Sequence, residues 1–174
     1  MPHPLKQFRF CPKCGSNRFV ENNFKSKRCE DCGFIYYFNT CSSTIALIMN
    51  EKQELLIATR ANDPAKGTLD LPGGFVDMYE TGEEAVVREV KEETNLEVTD
   101  IHYLFSIVNI YNYSNFEVHT LDLVYKCEVK STENMKAEDD VSKLEFKKIS
   151  DLNPLEFGLD SVRKVITKIQ NNNI

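Results

Sequence analysis

The chain has 174 residues, 41% of them hydrophobic, which is enough to bury one core and leaves room for a small appended module. It has no run of eighteen apolar residues, which argues against a membrane span, and its first eleven residues lack the apolar stretch of a secretion signal. We therefore expect a cytoplasmic location. The net charge of −6 divides into +4 for residues 1–40 (seven basic, three acidic) and −10 for the rest (14 basic, 24 acidic). An acidic main part is a poor general binder of nucleic-acid backbone.

The first predicted element is a metal-binding module. Two Cys-x-x-Cys-Gly motifs are separated by fourteen residues, and each supplies two thiolates from a tight turn that its glycine permits. In a reducing compartment this pattern favours a closed tetrahedral Zn²⁺ site over disulfides. The predicted zinc ligands are Cys11, Cys14, Cys29 and Cys32. So short a segment cannot fold on core burial alone, so we expect the metal to stabilise it. The other two cysteines, Cys41 and Cys127, are expected to be buried thiols.

Aromatic residues are frequent in the same module. They could stack on nucleic-acid bases, given the Lys and Arg residues between them. The interpretation that we favour is a miniature core around the metal, because the positive charge is modest. These residues are Phe8, Phe10, Phe19, Phe24, Phe34, Tyr36, Tyr37 and Phe38.

Two apolar runs follow. Thr44–Met49 and Glu54–Arg60 are predicted to form a strand pair joined at Asn50–Gln53, and Asn62–Thr68 is predicted to be a loop. Arg60 ends the second strand, where it could hold a phosphate group. A surface ion pair is an equal alternative.

A helix is predicted from Thr81 to Thr94. Thr81-Gly82-Glu83-Glu84 has the Thr-x-x-Glu form of a capping box, which marks a helix start. At helical spacing, Ala85, Val86 and Val90 would face a sheet while the glutamates face a cleft.

The remaining elements are three strands and a second helix. Ile101–Tyr111 and Glu117–Lys130 are predicted to be long strands around a polar tip at Asn112–Asn115, and Lys143–Ile149 a short one. Apolar residues at helical spacing from Leu159 to Ile169 predict the last helix. Strands interspersed with two helices indicate the α/β class, as an α/β/α sandwich with a mixed sheet. Tyr111, Tyr113 and Phe116 could sandwich a base, although packing is the commoner use of aromatics at strand ends.

Three glutamates of the first helix form the strongest candidate site. Glu89, Glu92 and Glu93 stand at positions i, i+3 and i+4, so they share one helical face, and the glycine loop Leu71–Gly74 precedes them. Converging carboxylates repel each other unless a cation lies between them, and hard oxygen ligands suit Mg²⁺ or Mn²⁺. The alternative is an ordinary solvated, charged helix.

The spacing of this segment resembles the signature of the Nudix hydrolases. Gly74, five residues, Glu80, seven residues and then Arg88-Glu89-Val90-Lys91-Glu92-Glu93 follow the family pattern. Asn95 stands where the family has glycine, a mild departure because asparagine tolerates the left-handed conformation. The resemblance covers residues 41–170 and implies the Nudix α/β/α sandwich for residues 41–174, preceded by a small zinc ribbon at residues 1–40.

The resemblance also implies roles for individual residues. Glu89 and Glu93 would be the main metal ligands, with Glu92 contributing and the Gly74 carbonyl oxygen completing the set. Arg88 would form an ion pair with Glu80 that orients the glutamates. The nucleotide would be bound by Arg60, Gly73 and Gly74. The general base is left open between the helix (Glu92 or Glu93) and a later acidic cluster, Glu138, Asp139 and Asp140, which could equally be a solvated loop.

The expected reaction is hydrolysis of a nucleoside diphosphate linked to another moiety, and the expected partner is a small nucleotide. Zinc ribbons precede some Nudix domains, including the NADH pyrophosphatase branch. That branch carries a Pro/Trp/aromatic segment after the signature, whereas this chain has no Trp. A nucleotide sugar such as ADP-ribose is therefore the first choice. A dinucleotide such as NADH, or an RNA-directed ribbon that processes or binds RNA 5′ ends, is the alternative. No membrane partner is expected, and a homodimer is left open.

Overall fold

The computed structural model describes residues 2–171. For Tyr111 it describes only the backbone. The chain forms two compact units, which divide between Thr40 and Cys41. We call them the N-terminal unit and the C-terminal unit. Neither helix of the described residues has the length and apolar character needed to cross a lipid bilayer. The stacking predicted for the Tyr111 side chain lies outside the described residues.

The N-terminal unit is built on one small antiparallel sheet. Its strands lie in the order β1-β2-β3: β1 (Phe19–Asn23), β2 (Ser26–Cys29) and β3 (Ile35–Tyr37). Cys11, Phe19 and Cys29 form the buried cluster, against which Phe8 and Phe34 pack. Several other aromatic side chains are exposed, so the predicted miniature core takes up only part of the aromatic set: Phe10, Phe24, Tyr36 and Tyr37 remain at the surface.

The C-terminal unit contains two three-stranded sheets and two helices. Its elements are β4 (Cys41–Ile48), β5 (Glu54–Arg60), β6 (Leu69–Asp70), α1 (Gly82–Thr94), β7 (Val98–Tyr113), β8 (Phe116–Val129), β9 (Val141–Lys148) and α2 (Asp160–Gln170). One sheet has the order β4-β8-β7 and is mixed, since β4 is parallel to β8 and β7 antiparallel to it. The other, β6-β5-β9, is antiparallel.

Strands β4 and β5 are buried on both faces because a helix covers each side. In β4, Ile45 and Leu47 belong to the core cluster that contains the apolar residues of α2. The alternate residues, Ala46 and Ile48, belong to the cluster that contains those of α1. This two-sided burial explains why β4 and β5 have continuous apolar runs rather than an alternating pattern. The predicted α/β/α sandwich is confirmed.

The predicted pairing of the first two strands of this unit is wrong. The turn at Asn50–Gln53 exists, with the Gln53 N–H donating to the Asn50 carbonyl oxygen at 3.0 Å. However, β4 and β5 lie in different sheets and share only the bridge between Met49 and Leu55. A turn residue pattern specifies a reversal of the chain, but it does not specify which strand becomes the hydrogen-bonded neighbour.

Helix α1 begins and ends where its sequence predicts. The Thr81 hydroxyl accepts from the Glu84 N–H at 3.2 Å, and the Glu84 carboxylate accepts from the Thr81 N–H at 2.9 Å. Asn95 ends the helix with a φ of 59°, the left-handed conformation expected at this position. Ala85, Val86 and Val90 are fully buried, as predicted.

The long hairpin of β7 and β8 is tighter than predicted. Its loop consists of Ser114 and Asn115 alone, both with positive φ, rather than Asn112–Asn115. Two consecutive residues with positive φ form the type of turn that matches the twist of the flanking strands. Helix α2 follows two short 3₁₀ turns, Ile149–Asp151 and Pro154–Glu156, and packs against β7.

Candidate active site and cysteine cluster

The glycine loop Leu71–Gly74 lies alongside β4 and hydrogen-bonds to its backbone. The Thr44 N–H donates to the Gly74 carbonyl oxygen at 2.8 Å, and the Ala46 N–H donates to the Pro72 carbonyl oxygen at 2.8 Å. Gly73 has a φ of +143°, and a Cβ there would lie 2.2 Å from the Thr44 carbonyl oxygen. Only glycine fits at this position.

The second glycine of the loop lies against a carboxylate of α1. A Cβ added at Gly74 would lie 2.5 to 2.8 Å from the carboxylate atoms of Glu89. The Gly74 carbonyl oxygen also accepts from the Thr44 hydroxyl, at 3.5 Å. The missing side chain therefore lets the Glu89 carboxylate approach the loop backbone closely.

Glu93 is the buried carboxylate of the cluster. Its side chain accepts from the Gly73 N–H at 2.9 Å, and only 7% of the residue is exposed. Burial raises the pKa of Glu93 to about 8; the Gly73 hydrogen bond opposes this shift, while the charges of Glu89 and Asp70 add to it. Burial also raises the pKa of Glu89, against the opposing contacts of Arg88.

Arg88 connects the loop to three carboxylates. Its Nε and Nη2 atoms each lie 2.8 Å from one oxygen of Glu80, and Nη1 donates to Glu89 at 2.8 Å and to Glu92 at 2.9 Å. Nη2 also donates to the Phe75 carbonyl oxygen. The hydrogen bonds from Arg88 lower the pKa of Glu80 to about 2. The ion pair expected between Arg88 and Glu80 is present, in bidentate geometry.

The three candidate glutamates of α1, Glu89, Glu92 and Glu93, do not form one compact group of ligand atoms. Glu89 and Glu93 face the glycine loop, whereas Glu92 is drawn to Arg88 and its side chain is half exposed. In the part of the chain that the structure describes, only the four paired cysteines bring three or more ligand atoms within 4.8 Å of one another.

A cavity of about 140 Å³ lies beside this cluster. Gly73, Gly74 and Glu93 line it on one side, and residues of α2 and of the mixed sheet line it on the other. Several polar residues in its wall are buried, which is uncommon unless they are paired or bind a ligand. They are Thr44, Asp70, Asn109, Thr120, Asp122 and Ser161.

Arg60 lines the same cavity, but it is paired within the protein. Its Nη1 atom lies 2.5 Å from Asp70 Oδ2, and its Nε donates to the Pro64 carbonyl oxygen at 2.8 Å. Asp70 is buried, which raises its pKa although Arg60 opposes the shift. Arg60 was predicted either to hold a phosphate group or to form a surface ion pair. The structure shows an ion pair, with Asp70, and it is partly buried rather than at the surface.

The acidic cluster after β8 lies next to α1. The Glu138 N–H donates to the Glu93 carbonyl oxygen at 3.1 Å, and Glu138 pairs with Lys136. Asp140 lines the cavity and accepts from Asn62 at 2.6 Å. Asp139 is exposed. Of the three, Asp140 is the carboxylate that reaches the cavity.

In the N-terminal unit the four cysteines of the paired motifs meet. The Sγ atoms of Cys11 and Cys32 are 3.8 Å apart, and those of Cys14 and Cys29 are 3.6 Å apart. Four sulfurs about 2.3 Å from one Zn²⁺ would be separated by roughly 3.8 Å, whereas a disulfide needs about 2 Å. The cluster is therefore compatible with zinc. Cys127 is buried as predicted, but Cys41 is exposed, contrary to prediction, because its end of β4 lacks the cover of either helix cluster.

Among the polar residues of the cavity wall that were not predicted from the sequence, four come from the two long strands and α2. Asn109, Thr120 and Asp122 lie on the two long strands, and Ser161 lies in the first turn of α2. One signal was available. Thr120, Asp122 and Val124 lie two residues apart on β8 and therefore share one face of the strand. A charged residue thus occupies a face that is otherwise buried.

Comparison with known proteins identifies the family. The NUDIX domain model matches residues 40–168. The chain is 37% identical over 119 residues to the ADP-ribose pyrophosphatase of Methanocaldococcus jannaschii, covering 67% of this chain and 68% of that protein. A crystal structure of a NUDIX hydrolase from Nitrosomonas europaea superposes with a TM-score of 0.71 at 16% identity, covering 94% of this chain and 93% of that one. The chain belongs to the Nudix family.

Two further relatives are both named NAD-capped RNA hydrolase NudC. The NAD-capped RNA hydrolase NudC of Vibrio vulnificus is 35% identical over 104 residues, which is 60% of this chain and 39% of that protein. NudC of Pseudomonas aeruginosa is 30% identical over 159 residues, 91% of this chain and 54% of that protein. The chain thus spans about half or less of the NudC proteins that it matches.

Proposed function

We propose that residues 41–174 are a Nudix hydrolase domain that cleaves the phosphoanhydride bond of a nucleoside diphosphate linked to another group. The observation that carries this proposal is the position of two carboxylates, Glu89 and Glu93, against the two glycines of the loop and beside a polar cavity. Residues 1–40 are, in the same proposal, a zinc ribbon.

Glu89 and Glu93 would hold Mg²⁺ or Mn²⁺, with Glu92 and the Gly74 carbonyl oxygen contributing. The residues fit such an ion because they offer hard oxygen atoms. Among residues 2–171, no Lys or Arg nitrogen lies within 4.0 Å of the Glu93 carboxylate, although Glu93 is buried beside other acidic groups. When bound, the metal neutralises phosphate oxygens and makes a bound water more acidic.

Arg88 is proposed to position the carboxylates rather than to contact the metal. It ties Glu80 in the loop to Glu89 on the helix, which fixes the orientation of the Glu89 carboxylate. Glu92 would exchange its contact with Arg88 Nη1 for the metal. Such supporting contacts typically change metal affinity or activity by about 10- to 100-fold.

Asp140 is the proposed general base. It lines the cavity, whereas neither Asp139 nor Glu138, which is paired with Lys136, does so. A carboxylate that faces the substrate site without being one of the proposed metal ligands can accept the proton of the attacking water. Asp140→Asn should lower kcat while the affinity for Mn²⁺ stays unchanged, and Asp139→Asn is the matched control. Loss of Mn²⁺ affinity in Asp140→Asn would instead assign this residue to the metal.

The first candidate substrate is a nucleotide sugar, with ADP-ribose as the test compound. The similarity to the ADP-ribose pyrophosphatase covers about two thirds of both chains, and the sequence lacks the Trp of the NADH pyrophosphatase segment. Cleavage of ADP-ribose would give AMP and ribose 5-phosphate.

An NAD-linked substrate, including an NAD-capped RNA end, is the second candidate. The match to NudC of Pseudomonas aeruginosa covers 159 residues, so at most 15 of the 174 residues lie outside it and it includes most of the N-terminal unit. That unit has a charge balance of +4 and exposed aromatic side chains, which suit single-stranded nucleic acid.

The test is a substrate panel of ADP-ribose, NADH, NAD⁺ and NAD-capped RNA with Mg²⁺ or Mn²⁺. We expect ADP-ribose to have the highest kcat/KM, and EDTA to abolish turnover. Preference for NAD-capped RNA would move the assignment to the second candidate. Turnover that survives EDTA would contradict the metal-dependent mechanism itself.

A further inference from the structure

The cavity beside the glutamates contains two buried polar atoms without a partner. Asn109 Oδ1 and Ser161 Oγ are the buried side-chain oxygen or nitrogen atoms of the described residues that have no hydrogen-bond partner. Asn109 is 4% exposed and Ser161 is fully buried. Burying a polar atom without a hydrogen-bond partner is destabilising, so two such atoms in one cavity call for an explanation.

The two atoms come from elements that are distant in the sequence. Asn109 lies on β7, opposite Thr120 of β8, and Ser161 is the second residue of α2. Leu159, at the N-cap of α2, has no side-chain oxygen with which to cap the helix, and Ser161, in the first turn of α2, lines the cavity. Two independent elements thus direct unused hydrogen-bonding groups toward the same space.

The charges around the cavity indicate that a neutral part of a ligand occupies the end lined by Asn109 and Ser161. Asp70, Asp122, Glu93 and Asp140 line the cavity, and its one basic residue among those described, Arg60, is paired with Asp70. Asp122 already accepts hydrogen bonds from Ser43, at 2.5 Å, and from Thr120. Metal at the glutamates would neutralise the outer part, but Asp122 would still repel a phosphate or a carboxylate.

Hydroxyl groups suit these surroundings. Each hydroxyl both donates and accepts, so it can donate to Asn109 Oδ1 and can either donate to or accept from Ser161 Oγ. A cavity of about 140 Å³ has room for one sugar ring. Phe75 is the aromatic residue in its wall, and it is partly exposed, so the cavity lacks an enclosed aromatic slot for a base.

We propose that this end of the cavity is a subsite for the terminal pentose of a nucleoside diphosphate sugar, with Asn109 and Ser161 hydrogen-bonding to its hydroxyl groups. The proposal rests on the proposed hydrolysis of such compounds and adds which half of the substrate enters the cavity. The base and the adjacent ribose then lie outside it, on the other side of the two phosphates.

The experiment measures the binding of the two product halves separately by calorimetry with Mg²⁺ present. The probes are ribose 5-phosphate and AMP, and the variants are Asn109→Leu and Ser161→Ala, with Asn112→Leu, on an exposed part of β7, as the matched control. We expect each cavity variant to weaken ribose 5-phosphate binding about tenfold and to leave AMP binding within twofold of the parent protein. The control should change neither.

A thermal unfolding scan without ligand separates a binding role from a structural one. Because neither oxygen has a partner in the protein, Ser161→Ala should leave the melting temperature unchanged or raise it, while it weakens sugar binding. A variant that lost sugar affinity only because its fold was damaged would melt lower.

Three outcomes would overturn the subsite. They are no binding of ribose 5-phosphate by the parent protein, loss of AMP binding instead of ribose 5-phosphate binding, or no change of either in the variants. Failure of the proposed function looks different. If the parent protein does not hydrolyse ADP-ribose, yet the variants lose ribose 5-phosphate binding selectively, the subsite stands and the reaction assigned to it is wrong.

Discussion

The two units of this chain hold their candidate metal ligands in opposite ways. In the N-terminal unit the four cysteine sulfurs already lie within 4.8 Å of one another, and two of the cysteines belong to the small buried cluster. In the C-terminal unit the glutamates are distributed along the edge of α1, and Arg88 lies between two of them. The sandwich around them is closed by two apolar clusters, which do not depend on these carboxylates.

This is the difference expected between a site whose metal stabilises a fold and a site whose metal serves a reaction. A unit of forty residues with a buried cluster of three residues has too little apolar burial to fold without additional stabilisation. The larger unit has its own core, so it can tolerate a buried, mutually repelling acidic cluster at its surface cleft. Tolerated repulsion of this kind is typical of functional sites.

The largest expected effect comes from removing the zinc ligands. Cys29→Ser should release zinc and unfold the N-terminal unit, since structural zinc contributes about 10–16 kcal/mol in small zinc domains. Hydrogen exchange should then show loss of protection over β1 to β3, while the C-terminal unit keeps its protection. Cys41→Ser, which changes an exposed cysteine outside the cluster, is the control. Retained protection in zinc-free protein would contradict a structural zinc site.

The second effect concerns catalysis alone. Glu93→Gln keeps the shape of the side chain but removes the charge, so kcat should fall about a hundredfold or more while the fold persists. The rate of ADP-ribose hydrolysis measures the loss, and Glu97→Gln, at an exposed position just after α1, is the control. An active Glu93→Gln enzyme would remove Glu93 from the proposed metal ligands.

The sequence predicts the carboxylate site better than the cavity beside it. The capping box and the spacing of Glu80, Arg88 and Glu93 are local patterns, and local patterns survive folding because the helix itself sets the geometry. Helix positions and the Arg88 ion pair could therefore be predicted.

The cavity depends on pairings that no local pattern specifies. Asn109 meets Thr120 through the register of a hairpin that contains two irregularities, and Ser161 reaches the cavity from the last helix. One shifted residue would direct Asn109 to the opposite face of the sheet. For the same reason the parallel pairing of β4 with β8, from Cys41 opposite Thr120 onward, could not be predicted from turn signals.

A third prediction concerns the pH dependence of stability that Glu93 causes in the absence of substrate and metal. The pKa of Glu93 is raised from 4.5 to about 8, so the folded state holds a proton that the unfolded state loses above pH 4.5. In EDTA, stability should therefore fall as pH rises from about 4.5 to 8, by an amount on the order of a few kcal/mol. Urea titrations of the parent protein and of Glu93→Gln measure it, and the variant should lack this component. Equal pH dependence in both proteins would show that Glu93 ionises normally.

The smallest effects are expected from substituting lysine for two arginines that each bind several carboxylates. Arg88 is partly buried and contacts both carboxylate oxygens of Glu80. Arg18 of the N-terminal unit is exposed and contacts Glu30 and Asp31. Lysine keeps the charge but cannot make the bidentate contact. Arg88→Lys should therefore lower kcat about tenfold with little loss of stability, because the glutamates lose their fixed orientation.

Arg18→Lys should change stability by less than about 0.5 kcal/mol, because exposed ion pairs contribute little, and it should not change kcat. Steady-state kinetics and urea unfolding of both variants make the comparison. If Arg88→Lys retained full kcat, the hydrogen bonds of Arg88 would be structural only, and the orientation of Glu89 would have to come from its contact with Gly74. In that case Gly74→Ala, whose Cβ would displace the Glu89 carboxylate, becomes the variant that must reduce activity.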